Sequence, residues 1–540
     1  MSASDDDVPD VLAPSPIDRI ARRLRAWSGP PRRYTLTRSL ILRLLGLVYV
    51  FAFIGLLRQG PALWGSHGLT PTAPYLEALA ANGQGFWDLP SVLWWSASDG
   101  AMAAWAYAGL ALSLALLGGY ANSISLVLLW IIYGSFVRTG QLWFSFGWEI
   151  QILETTLLAA VLAHPWDPRP LAAPPPSPVA MALVRWLVFR IMFGAGMIKL
   201  RGDACWTELS CLDYHFETQP IPNPLSAFFH DLPRPILVAG VGLNHIVEII
   251  LPFCVFGPRK LRLVAGVGMV LFQGILVLSG NLAFLNWLTL VPILACFDDD
   301  FLLRLVPSCG SSFGSRFGSR RPRAWLDARS AQPRPHSRVA KWLLGAICIV
   351  VAYKSLPVVE NLVAPDRGRQ AMNRSYDRLA LVNTYGAFGT VGKTRDELVI
   401  EGTRDADPTT ATWHAYELPC KPGDLARRPC FLGPYHRRLD WLIWFAAMSE
   451  KPRDPWVVHF VYKLLAGDAT IRTQLARDPF DGEPPTYVRI RRFTYHLQSI
   501  TAATWWTRDD EQLWLAPVAI DDPDLLEALA RFGWPSPTSR

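Results

Sequence analysis

The chain has 540 residues, 51% of them hydrophobic, with 23 tryptophans and a formal net charge of +7. A mean hydropathy of +0.19 falls outside the ordinary soluble class and makes a bilayer the natural solvent. The basic excess does not signal nucleic acid, because Lys and Arg flank apolar stretches and are not interleaved with base-stacking aromatics in a folded module; anionic lipid headgroups are the more economical partner.

The first eighteen residues are acidic and contain proline, unlike the basic start and apolar run of a cleavable signal. The segment IDRIARRLRAW, 17–27, reads either as a basic amphipathic helix on the inner membrane surface or as a disordered leader. A span needs ~20 apolar residues, and about nine stretches qualify: 39–57, 101–119, 121–137, 147–163, 179–200, 234–256, 261–279, 282–297 and 339–356. The first acts as the insertion signal, and the eighth is short.

Short cytoplasmic loops collect Lys and Arg, so the flank 1–38 with Arg19, Arg22, Arg23 and Arg25 stays inside. Alternation then puts Arg259, Lys260 and Arg262 inside as well, with the linker 298–338, whose Ser-, Gly-, Pro- and Arg-rich part from 306 cannot bury enough apolar surface to fold. The same alternation sends loops 58–100 and 201–233, and everything after the last span, outside. If only eight helices cross, the tail flips to the cytoplasm.

Of the eight cysteines, Cys254, Cys296 and Cys348 fall in spans and Cys309 in the linker. Cys205 with Cys211 and Cys420 with Cys430 form two close pairs on the outer side, where disulfides persist. Without histidines at finger-like spacing, they do not read as metal sites.

The tail, 366–540, has the composition of a soluble α+β domain. LALVNTYGAF, RDELVIEGT, TWHAYELPC and PPTYVRIRRFTYHLQ alternate with period two, whereas LDWLIWFAAM, PWVVHFVYKLL and DPDLLEALARFG have helical spacing. Within LDWLIWF, Trp441 and Trp444 share a face that packs inward, and Gly386 and Gly389 read as turn formers at positive φ. The fold expected is a polytopic α-helical membrane protein followed by a strand-rich α+β carboxy-terminal domain.

Charged and polar groups within spans are costly in hydrocarbon. Glu149, Glu154, Arg185, Arg190, Asn244, His245 and Glu248 are of this kind, with His245 and Glu248 on one helical face. Either they form an intramembrane acid–base site, or Glu and Arg pair across neighbouring helices to fix the bundle. Lys199 ends a span and snorkels to the interface. No nucleophile elbow, Walker loop, zinc-protease helix or dinucleotide loop is present in the sequence, and no cofactor or metal is expected.

Asn383–Thr403 (NTYGAFGTVGKTRDELVIEGT), 416–448 (YELPCKPGDLARRPCFLGPYHRRLDWLIWFAAM) and 478–497 (DPFDGEPPTYVRIRRFTYHL) resemble the carboxy-terminal part of the lipase maturation factor family. The tracts 199–230 and 63–76 resemble the same family, so the likeness runs from about residue 36 to about residue 515. It implies a multi-spanning protein, not an enzyme, that helps newly made lipases fold and assemble into dimers. In the animal members it implies the ER membrane, with the carboxy-terminal domain facing the lumen and engaging the client. It places client contact at Asn383, Tyr385, Gly386, Phe388, Gly389, Pro434, Tyr435, Arg438, Asp440 and Trp441.

The end SPTSR is no ER-retention signal, and the Arg- and Ala-rich composition points to a bacterial member in an inner membrane. From a different class, FGAGMIKL, 193–200, resembles the membrane segment of vitamin K-dependent γ-carboxylase relatives, which would make Lys199 a base, with His245 and Glu248 as further catalytic groups.

Overall fold

The computed structural model describes residues 32–169, 171, 173–305, 338–365 and 369–534. The leader helix expected at 17–27, Cys309 and residues 306–337 of the linker lie outside them, whereas Asp299–Leu305, at its start, is helical.

The nine expected spans appear as helices α1 (Thr35–Leu63), α2 (Asp99–Gly118), α3 (Ser123–Thr139), α4 (Gly147–Leu162), α5 (Pro178–Arg201), α6 (Arg234–Cys254), α7 (Arg259–Ser279), α8 (Leu285–Cys296) and α9 (Arg338–Val363). Six of these, α1, α2, α5, α6, α7 and α9, are long and apolar enough to cross a membrane. The other three are short: α3 and α8 are apolar, and α4 spans 16 residues with two glutamates. Local chemistry sets several boundaries. Ser98 caps α2 and Gly119 ends it at φ 96°; Asn122 and Ser125 form a capping box on α3; and Ser177 precedes Pro178 at the first turn of α5. In α6 the α-helix gives way to a π-helical turn at Ile246–Ile250.

Contacts show that the helices run alternately up and down. At one end, Arg38 at the start of α1 donates to the carbonyl of Ala173, ahead of α5, at 3.0 Å, and Arg259 at the start of α7 meets Asp298, just past α8, at 2.5 Å. At the other end, Ser66 beyond α1 meets Asp99 of α2 at 2.8 Å, and Arg201 of α5 meets the Leu362 carbonyl of α9 at 2.7 Å.

After α9 come strand β1 (Arg395–Thr403), the two-residue β2 (His414–Ala415), helices α10 (Arg438–Ala447) and α11 (Pro455–Leu465), strands β3 (Tyr487–Leu497) and β4 (Trp506–Val518), and helix α12 (Pro523–Arg531). The strands form one antiparallel sheet in the order β2-β1-β3-β4.

Three sequence expectations fail locally. LALVNTYGAF is irregular rather than a strand: the Asn383 backbone N–H and carbonyl bond to Glu154 of α4 and Arg190 of α5, and its neighbours bond locally to Arg374 and Asp377. TWHAYELPC contributes only His414 and Ala415 to the sheet. Strand β4 went unrecognised because Thr507–Leu513 is exposed throughout and lacks the apolar alternation that marks a half-buried strand. The core is continuous between bundle and tail: Tyr49, Phe53 and Trp143 belong to the same cluster as Leu398, Trp441 and Phe460.

Candidate functional site

The tail is seated on one end of the bundle through three buried polar joints. In the first, Glu149 in the opening turn of α4 accepts from Tyr133 Oη at 2.5 Å and from Trp148 Nε1 at 3.2 Å. Its cation is Arg438 of α10, at 2.8 Å. The Arg438 guanidinium also donates to the Trp143 carbonyl and lies over the Phe144 ring at 3.9 Å. Gln59 of α1 completes this joint, accepting from the Arg438 backbone N–H at 2.9 Å and donating to the His436 carbonyl at 2.7 Å.

In the second joint, Glu154 lies one and a half turns further along α4. It pairs with Arg190 of α5 and accepts from the Asn383 backbone N–H at 3.1 Å, Asn383 Nδ2 at 3.0 Å and Tyr385 Oη at 2.7 Å. Arg190 donates in turn to the Asn383 carbonyl at 2.9 Å. Burial next to Glu154 holds the Tyr385 phenol well above its ordinary pKa.

In the third, Lys199 Nζ donates to both oxygens of Glu248 at 2.7 Å and to Asn244 Oδ1 at 2.9 Å, beneath the Trp206 ring at 4.9 Å. Trp206 Nε1 donates to the Phe388 carbonyl at 2.8 Å, and the Asp203 N–H donates to the Gly389 carbonyl at 2.8 Å. Lys199 is therefore buried in an ion pair and does not snorkel. An ammonium has three donors, and three protein oxygens accept from it.

The structure corrects several readings of the polar span residues. Arg190 pairs with Glu154 across helices, as the bundle-fixing reading has it, but Glu149 takes its cation from the tail. Arg185 bonds no carboxylate; it donates to the Ala295 carbonyl at 3.0 Å and to Tyr34 Oη at 3.0 Å. His245 is not joined to Glu248: its Nε2 meets the Trp206 carbonyl at 2.9 Å. The left-handed residue in YGAFG is Phe388 at φ 54°, not either glycine. Gly389 is needed for close approach instead, since a Cβ there would stand 2.8 Å from Ile198 Cγ1.

Among the residues to which resemblance assigned client contact, Asn383, Tyr385, Arg438, Asp440 and Trp441 are buried, each at 5% exposure or less. Asp440 accepts the backbone N–H groups of Cys420 and Lys421 at 2.7 and 3.0 Å, and burial raises its carboxyl above the usual range. Trp441 packs edge-on against Trp148 at 5.2 Å. Gly386, Phe388, Pro434 and Tyr435 are partly buried, and Gly389 is buried.

Cys205–Cys211 and Cys420–Cys430 are disulfides, with Cα separations of 4.8 and 5.4 Å. Both lie at the tail-bearing end, and Asn281 ties the second to the bundle by donating to the Cys430 carbonyl at 2.8 Å. Among the described residues no cluster of His, Cys, Asp and Glu could hold a metal.

Sequence reasoning missed Gln59, Tyr133 and the Arg395–Glu397 pair. Arg395 donates to the carbonyls of Glu217, Gln219 and Pro220 at 2.7, 2.5 and 3.0 Å, pinning β1 to the loop 201–233. The signal available for Gln59 was a lone amide inside an apolar span; for Arg395 and Glu397 it was their period-two placement on one strand face.

A bundle of membrane-type helices carrying a sheet-bearing part on one end defines a polytopic integral membrane protein. Residues 36–304 match the lipase maturation factor transmembrane domain, and residues 381–516 match the lipase maturation factor C-terminal domain. The chain is 41% identical over 535 residues to lipase maturation factor 1 of Bos taurus, covering 95% of this chain and 93% of that one. It is 39% identical to lipase maturation factor 1 of Homo sapiens over 93% of this chain and 91% of that one, and 30% identical to lipase maturation factor 2 of Homo sapiens over 92% and 85%. The chain belongs to the lipase maturation factor family. These relatives are animal proteins and lend no support to the bacterial source suggested by composition. No solved structure matches the chain.

Proposed function

We propose that this protein is a membrane-tethered maturation factor whose tail acts on newly made secreted proteins on the outer side of the membrane. Lipases are the client class implied by its relatives' names, and the ER membrane is the compartment for an animal-type member. All nine helices cross in this reading: of the three short ones, α4 and α8 are largely buried among the others, and α3 turns Ile124, Val127 and Leu128 outward. The observation that carries the proposal is that the tail is clamped to the same end of the bundle as both disulfides, while Arg32, Arg38, Arg259 and Arg262 collect at the opposite end. Oxidised cysteines favour an exported compartment and basic residues a cytosolic one.

In this reading the buried residues of the three joints hold the tail in place, and the client meets what they leave exposed nearby: Phe431, Phe445 and Met448, together with the partly buried Pro434 and Tyr435. Exposed apolar side chains of this kind suit a helper that holds a half-folded partner. The test is co-expression of the full chain with a secreted lipase in cells lacking their own maturation factor. Rescue of secreted lipase activity by the wild type, and its loss on deleting 366–540, supports the reading. Equal secreted activity with and without the protein overturns it.

A further inference from the structure

At the end of the bundle opposite the tail, Tyr34 Oη accepts hydrogen bonds from two cations, Arg185 Nη2 at 3.0 Å and Arg262 Nη2 at 3.1 Å. Each guanidinium adds one bond to a backbone carbonyl: Arg185 Nε to Ala295 at 3.0 Å and Arg262 Nε to Cys296 at 3.3 Å. All these acceptors are neutral. The nearby carboxylates are committed elsewhere: Asp298 to Arg259 at 2.5 and 2.8 Å, Asp299 to the backbone N–H groups of Thr35, Leu36 and Thr37 at 2.9, 3.0 and 3.1 Å, and Asp300 to Arg32 at 3.3 Å.

Two like charges sharing one hydroxyl repel each other, and in a weakly screened setting they call for a counter-anion. Among the described residues the Nη1 atoms of both arginines have no protein acceptor, yet neither atom is fully buried, so both remain open to the surroundings. Arg262 stands near the start of α7 and Arg185 two turns into α5, both toward the end of the bundle opposite the tail. One turn further along α5, Phe189 packs against Phe253 in the last turn of α6 and Phe256 just past it, at ring distances of 5.0 and 5.9 Å, and the last two are exposed on the outside of the bundle.

We propose that this is a site for one anionic glycerophospholipid, its phosphate held between Arg185 and Arg262 and an acyl chain laid along Phe189, Phe253 and Phe256. Planar guanidinium forks match phosphate oxygens, and basic pockets between membrane helices suit anionic headgroups. A free phosphate would satisfy the arginines but leave the aromatic wall without a role. The proposal requires a bilayer around the helices and is independent of the client.

The test is native mass spectrometry of the full-length protein in detergent, titrated with phosphatidylglycerol, phosphatidylcholine or inorganic phosphate. Wild type is expected to retain phosphatidylglycerol about tenfold more tightly than phosphatidylcholine, whose choline cation cancels the phosphate charge beside the two arginines. Arg185→Gln, at the partly exposed arginine, and Arg262→Gln should each erase that preference. Equal retention of the two lipids by wild type overturns the proposal, as does an unchanged preference in Arg185→Gln. Inorganic phosphate that competes as strongly as phosphatidylglycerol overturns the lipid assignment. The wild-type comparison decides the matter even if Arg262→Gln fails to fold.

Discussion

Replacing Arg438 by Met removes the cation of Glu149 while keeping most of the aliphatic volume that packs over Phe144. Glu149 is fully buried, and without Arg438 it retains only the Tyr133 hydroxyl and the Trp148 indole as donors. Breaking one side of a buried ion pair costs about 3–5 kcal/mol, because the remaining charge stays desolvated. At about 4 kcal/mol the undocking equilibrium of the tail shifts nearly a thousandfold, a large part of the roughly 5–15 kcal/mol that holds a typical domain together. Limited proteolysis of intact membranes, with the protease on the tail side, measures this directly: Arg438→Met should be cleaved between α9 and β1 far faster than wild type. Glu149→Gln should be similarly affected. The double variant Glu149→Gln, Arg438→Met should recover most of the loss, since neither partner then leaves a bare charge. Strictly additive losses, with coupling below about 0.5 kcal/mol, would refute the claim that this pair clamps the tail.

The Lys199–Glu248 pair gives a parallel prediction: Lys199→Met should lower thermal stability by about 3–5 kcal/mol, and Lys199→Met with Glu248→Gln should restore both stability and client secretion. A stable double variant with no activity would return Lys199 to the role of a base. Gly202→Ala puts a Cβ onto the Gly389 carbonyl and should undock the 386–391 segment, whereas Gly85→Ala, with nothing within 4 Å, should be neutral; melting temperatures separate the two. Burial lowers the pKa of His215 and His459 to about 4 and that of His436 well below its usual 6.5. Each is neutral when folded but protonates when unfolded, so the stability present above pH 6.5 is lost as pH falls toward 4, by about 1.4 kcal/mol per pH unit for each histidine. His436 bonds nothing through its ring and sits among Phe146, Trp148 and Trp441, so His436→Phe should flatten the acid limb of the stability profile by one histidine's share.

The helical half of the fold was legible in the sequence because a bilayer demands long apolar runs, a local signal; the caps Ser98, Asn122 and Ser177 emerged only with the structure. The cysteine pairs were legible for the same reason, each closing a short loop. Partnership between distant parts was not. Glu149 and Arg438 are 289 positions apart, and nothing in the periodicity of either segment says that a span carboxylate is neutralised from the tail rather than by a neighbouring helix. The tract NTYGAFG misled because its alternation is that of a strand, whereas its backbone and side-chain polar groups are consumed by Glu154 and Arg190.

Asn383, Tyr385 and Arg438, three of the residues that resemblance marks in the tail, are buried in its joints with the bundle, which changes what a loss-of-function variant means there. A substitution at Arg438 strands the Glu149 charge on the bundle, and one at Asn383 or Tyr385 removes a donor from the buried Glu154–Arg190 pair, so lost client activity from such a variant does not identify a contact. A contact residue must instead be exposed, and its replacement must leave the protease pattern of the tail unchanged. Phe431→Ala, Phe445→Ala and Met448→Ala meet the first condition. If these variants keep wild-type protease resistance and melting temperature but secrete less active lipase, the client surface lies beside α10. If all three secrete normally while the Arg438→Met tail comes loose, the client is engaged elsewhere and the joints act only as scaffold.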